Sequence, residues 1–173
     1  DSIINITAPT VDVDASIAVT ITSPAVTIDS SADGKPGLTL KTTHTTKTSS
    51  GELQFLKDAD NTENDEVLGQ ITFYGEDGAN NNTMFAKIIS EIHDATSGQE
   101  SGKLSLQVAS HDGGVENGLI LTGGSVDAEV DVTIGNGTAS TTTISGDLKV
   151  ITDIIIDDGG SLKEAGGTAA FTF

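Results

Sequence analysis

The sequence predicts an all-β chain, and three observations carry that prediction. Thr occurs 24 times in 173 residues, and with 17 Ile and 11 Val it makes β-branched side chains the dominant class. Such side chains lose rotamer freedom in helices and pack well on pleated surfaces. Apolar and polar residues alternate with period two over long stretches, which is the mark of a half-buried strand. The alternating runs are short and separated by Gly, Asn, Asp and Ser clusters, which favour turns.

Composition then narrows the functional classes. Lys and Arg total 8 against 26 Asp and Glu, giving a net charge of −18. A chain this acidic is a poor partner for phosphate backbones, so no nucleic acid is expected. No run of about 18 apolar residues exists, so no membrane insertion is expected. There is no Cys, hence no disulfide framework and no thiolate metal site. Leu, Ile, Val and Phe make about 25% of the chain, above the roughly 20% that marks acidic disordered chains.

Residues 1–33 are read as an N-terminal shaft. Ile4-Asn5-Ile6-Thr7-Ala8-Pro9-Thr10-Val11-Asp12-Val13-Asp14 is echoed fifteen residues later by Val19-Thr20-Ile21-Thr22-Ser23-Pro24-Ala25-Val26-Thr27-Ile28-Asp29. The alternation changes phase at Pro9 and Pro24, which marks corners or bulges. Two such short units cannot close a core by themselves and need neighbours to stack on. Three identical chains wound into an intertwined triple-stranded β-helix supply that stacking. The expected axis residues are Ile4, Ile6, Val11, Val13, Ile17, Val19, Ile21, Val26 and Ile28. A monomeric hairpin on the edge of a sandwich is the alternative.

The turn cluster Asp33-Gly34-Lys35-Pro36-Gly37 separates the shaft from a module spanning 38–125. Expected strands there are Leu38–Lys41, Glu52–Lys57, Val67–Tyr74, Thr83–His93, Lys103–Ser110 and Gly118–Thr122. Their spacing suggests a small β-sandwich-like module with Phe55, Phe73, Tyr74 and Phe85 in its core. Met84, Phe85, Ile88, Ile89 and Ile92 also fit a helical stripe, but the all-β surroundings favour a strand. From Val126 to Phe173 the short alternating runs return: Val130–Ile134, Thr141–Ile144, Leu148–Val150 and Ile154–Ile156. They read as a second shaft segment. Asp1 at one end and the alternation Phe171-Thr172-Phe173 at the other suggest a parent chain continuing on both sides.

Catalytic signals are weak, and no enzyme is expected. His93-Asp94 and His111-Asp112 are sequence neighbours, and neighbours on a strand point to opposite faces. No nucleophile elbow or phosphate loop accompanies them. A polysaccharide-cutting site needs carboxylates together with aromatics to stack sugars, and the few aromatics are needed in the core. Asp58-Ala59-Asp60-Asn61 begins like a calcium loop. Glu63 stands where that loop needs Gly and Gly69 where it needs Glu, leaving Asp58 and Asp60 as a weak cation candidate. No cofactor is expected. Asn80, Asn81 and Asn82 in one loop, with Ser97 and Gln99 in another, carry amides and a hydroxyl suited to sugar hydroxyls.

The repeat around Pro9 and Pro24 resembles those of phage tail needles and fibres. The stretch from Gln70-Ile71-Thr72-Phe73-Tyr74-Gly75 through Phe85-Ala86-Lys87-Ile88 to Gly102-Lys103-Leu104-Ser105-Leu106 is similar to a module of bacteriophage tail fibres, including those of marine cyanobacterial phages. Ile144-Ser145-Gly146-Asp147-Leu148 resembles their Gly-Asp-Leu repeats. The resemblance implies a homotrimeric virion fibre, located on the phage particle and attaching to a host-surface glycan or protein receptor. Its neighbours would be other virion proteins. A head fibre, a capsid decoration, a tail-tip piece and a bacterial surface adhesin share the same physics. No His-x-His pair is present, so the axial metal sites of some fibre tips are not expected.

Overall fold

A computed structural model describes residues 13, 19–23, 25–33 and 36–156. The chain divides into two compact units, Asp1–Leu53 and Gln54–Phe173. In the first unit no described residue belongs to a helix or strand. Val13, Val19, Ile21, Val26 and Ile28 are all exposed. Ile4, Ile6, Val11 and Ile17 lie outside the described residues.

Leu38–Lys41, Glu52–Lys57, Thr141–Ile144, Leu148–Val150 and Ile154–Ile156 are not strands, against expectation. The physical reason is that alternation marks a face able to be buried, whereas a strand needs a neighbouring backbone to satisfy its N–H and C=O groups. None of these segments is paired in that way among the described residues.

The second unit holds a five-stranded antiparallel sheet in chain order. Its strands are β1 (Val67–Glu76), β2 (Asn82–Asp94), β3 (Ser101–Ala109), β4 (Val115–Gly123) and β5 (Val130–Ile134). No helix occurs among the described residues. The 83–93 segment is therefore strand, with Ile88 opposite Ile71 and Leu106. β5, which the sequence groups with the second shaft, hydrogen-bonds to β4 as the fifth strand.

The sandwich-like module is corrected to a single sheet among the described residues. Every connection is a short turn, so each strand lands beside its predecessor and no connection carries the chain to a second layer. The turns show why. Asp77 Oδ1 accepts from the N–H groups of Ala79 and Asn81 at 2.8 and 2.9 Å, closing the β1–β2 turn around Asn80 at φ 62°. Asn tolerates that left-handed conformation. Asp112 Oδ1 accepts from Ser110 Oγ and Gly114 N in the β3–β4 turn, where Gly113 takes φ 83°. Glu129 Oε2 accepts from the N–H groups of Ser125 and Val126 in the β4–β5 turn.

Four irregularities interrupt the ladder, two of them, at Val67/Gly69 and Ile92/Asp94, close to strand ends. The β3–β4 register shifts between Leu106 and Gln107, so Leu106 faces Leu119 while Gln107 faces Asn117. The β1–β2 register shifts between Phe73 and Tyr74. Each is a bulge that re-aims side chains across the sheet.

Candidate interaction surface

Directly opposed residues in antiparallel strands share a face, so the registers define rows across the sheet. One row reads Ile71, Ile88, Leu106, Leu119, Ile134, apolar on all five strands. The next row on that face reads Gly69, Ser90, Leu104, Leu121, Val132. Phe73, Ala86 and Val108 extend it toward the β1–β2 turn. The opposite face carries Gln70, Ile89, Ser105, Ile120 and Thr133 in one row. Thr72, Lys87, Gln107 and Asn117 flank it on one side, and Glu91, Lys103, Thr122 and Asp131 on the other.

The exposure of the two faces runs against the usual order. On the inner strand β3, Leu104 and Leu106 of the apolar face are each 38% exposed. On the polar face Ile89 is 7% exposed and Ser105 1%. Long side chains explain the inversion. Beside the central row stand Lys87 and Gln107, half-buried, and Gln70, exposed; methylene stems of such residues are able to shield a neighbour while their heads stay wet. On the same face Lys103 pairs with Glu91 at 3.0 Å, and Gln107 donates to Asn117 at 2.8 Å. Branched apolar side chains are too short to cover one another. Some cover does exist beside β1: Phe55 sits against Gly69, where an added Cβ would lie 2.6 Å from its own Cβ. A cavity of about 270 Å³ remains there, walled by Phe55, Ile71, Ile88 and Leu104. Lys57 pairs with Glu66, tying the same segment to the start of the sheet.

The residues suited to sugar contacts fall at opposite ends of the sheet. Asn80, Asn81 and Asn82 belong to the β1–β2 turn region, and Ser97 and Gln99 to the β2–β3 turn. β2 separates them by roughly 40 Å at 3.3 Å per residue, so they cannot form one contact patch. Asn81 is tied to its own turn, its amide donating to both Asp77 oxygens at 3.2 and 3.0 Å. Gln99 lines a polar cavity of about 750 Å³ together with His93, Thr122 and Asp131. That cavity joins the β2–β3 and β4–β5 turns, and the sequence reading missed it. Only the meander topology brings those turns to one end, and no local motif announces it.

The histidine–carboxylate neighbours are also separated by their bonding. His93 Nδ1 lies 3.1 Å from the Gly123 carbonyl and 3.0 Å from Ser101 Oγ. A carbonyl only accepts, so Nδ1 carries the proton. Asp94 instead accepts from the Thr96 N–H at 2.8 Å, the main cause holding its carboxyl below the ordinary value. The Asn81 side chain lowers Asp77 in the same way, and the Ser110 hydroxyl lowers Asp112. Asp58 and Asp60 are exposed. Among the described residues no group of three or more His, Asp or Glu is placed to hold a metal ion.

Comparison with protein-family models, with curated proteins and with solved structures gives no match.

Proposed function

We propose that this chain is a segment of a homotrimeric virion fibre, a tail fibre by its sequence pattern, with a structural and adhesive role in host-cell attachment. The supporting observation is the inverted centre of the sheet: along β3 the apolar face is more open than the polar face. A chain built this way is incomplete alone, as is the alternating repeat of residues 4–29. Both features fit shafts and modules that close only when copies assemble. Subunits that share an interior unfold slowly, which suits a part exposed outside a cell. Chemistry is not part of the role; contact with a host-surface glycan or protein falls to the turns.

Absolute mass by light scattering after gel filtration tests the reading. One chain is 17.6 kDa, so three give about 53 kDa. That mass is expected at physiological salt. A folded species of 17.6 kDa overturns the trimeric fibre.

A further inference from the structure

We propose that the apolar face of the β1–β5 sheet is itself a threefold interface, on which two further copies of this chain close a triangular prism. This rests on the trimeric reading above but goes beyond the shaft, because it makes the module part of the assembly rather than a self-contained domain. Three arguments on the sheet support it.

The first is area. Side chains such as Phe73, Leu106, Val132 and Ile134 keep roughly half their surface open. Together the face leaves on the order of 800 Å² per copy. Shared between two neighbours, each pairwise contact takes about half of what a partner contributes to a standard interface, so closure of all three copies together is what buries it. Exposed apolar patches of this size mark contact sites.

The second is charge. With −18 per chain, association between copies must keep carboxylates apart. The two rows through Ile71 and Gly69 carry no charged residue on any strand. The charged residues of the opposite face, Lys87, Glu91, Lys103 and Asp131, stay in water when the apolar faces meet. Glu116, on the apolar face beside the turns, is held by Asn136 at 2.7 Å.

The third is width. Five strands about 4.8 Å apart make a sheet roughly 20 Å wide, and a triangle with sides of that length has its axis about 6 Å from each side. Packed sheets stand about 10 Å apart, so each side chain layer reaches about 5 Å. Three five-stranded sheets therefore close on a filled core. β3 is the middle strand, so Leu104 and Leu106 lie nearest the axis. The β1 edge, with Phe73 and Phe55, meets the β5 edge of the next copy, where Val130 and Val132 leave room for large rings.

The chain has no Cys, so single cysteines report accessibility cleanly. Val132→Cys and Thr133→Cys lie next to each other on β5, on opposite faces, and both positions are exposed in the isolated chain. Native maleimide labelling is measured on the 173-residue chain, with mass determined on the same samples. The expected result is about 53 kDa, with Val132→Cys labelled about tenfold or more slowly than Thr133→Cys, since a buried thiol reacts only through local opening. A species of about 53 kDa in which both thiols label equally fast overturns the prism and leaves the fibre assembled through other residues. A protected Val132→Cys at about 35 kDa, twice the chain mass, makes the interface a twofold sandwich and overturns the threefold axis. A folded 17.6 kDa species with both thiols reactive overturns this proposal and the fibre reading together.

Discussion

The two faces of the sheet are made of the same five strands, yet they solve the problem of water differently. On one face, long polar residues flank a central row in which Ile89 and Ser105 are buried. On the other, short apolar residues form a continuous row from Ile71 to Ile134 and stay open. The lesson is that burial within a chain follows side-chain reach as well as hydropathy. A stem of methylenes can shield a neighbour without help, whereas a Leu or Ile must be shielded by something else. Under the proposed assembly, the face that needs outside cover is the one that meets a partner, and the other remains a surface.

That contrast breaks most sharply at Leu106. Leu106→Asp puts a charge in the middle of the open row. If the row is buried between copies, the unpaired charge costs several kcal/mol and assembly is lost, with the mass falling from about 53 to 17.6 kDa. Thr133→Asp on the opposite face changes stability by about 0.5 kcal/mol or less, and the mass is unchanged. Equal behaviour of the two variants would erase the distinction between the faces.

A smaller effect sharpens the polar side. The Ser105 hydroxyl is buried and has no hydrogen-bond partner, between Ile89 and Ile120. An unpaired buried polar group is a net cost, so Ser105→Ala raises stability by about 1 kcal/mol in chemical denaturation. A loss of similar size would mean that the hydroxyl is paired in solution and that water reaches it beneath the polar side chains.

The smallest effect belongs to the turns, which set both faces in register. Asp77, Asp94 and Asp112 have lowered pKa values because hydrogen-bond donors, led respectively by Asn81, Thr96 and Ser110, favour the carboxylate. A lowered folded value means that this stabilisation is fully present above the ordinary carboxyl range, about pH 4, and is lost as pH falls through the lowered values. Melting temperature is therefore expected to drop on acidification below about pH 4, and Asp77→Ala to drop less because one contribution is already gone. An Asp77→Ala variant with the full acid sensitivity of the parent would remove Asp77 from the account.

How much was legible beforehand depends on the range of the interaction. The strand cores Val67–Tyr74, Thr83–His93 and Gly118–Thr122 were readable because alternation and turn residues are local properties of the chain. The ambiguity at Met84–Ile92 arose because Ile88, Ile89 and Ile92 satisfy both periods. Pairing with Ile71 on one side and Leu106 on the other resolved it. Leu38–Lys41 and Leu148–Val150 show the opposite failure, since an alternating run without a paired backbone is not a strand. Among the candidate sugar contacts, local chemistry nominated Asn81 and Gln99 equally. The fold separated them, one tied to Asp77 and the other lining a cavity.

The sequence by itself determined the β character, the net acidity, the turn positions of the sheet and the alternating apolar runs along the chain. These follow from β-branching, net charge and turn chemistry, which need no knowledge of neighbours. Only the tertiary structure decided that the module is one sheet, that β5 completes it, and that bulges gather an unbroken apolar row onto one face. Register is the physical reason: a shift of a single residue moves a side chain to the other face, and hydrogen bonds between distant strands set that register.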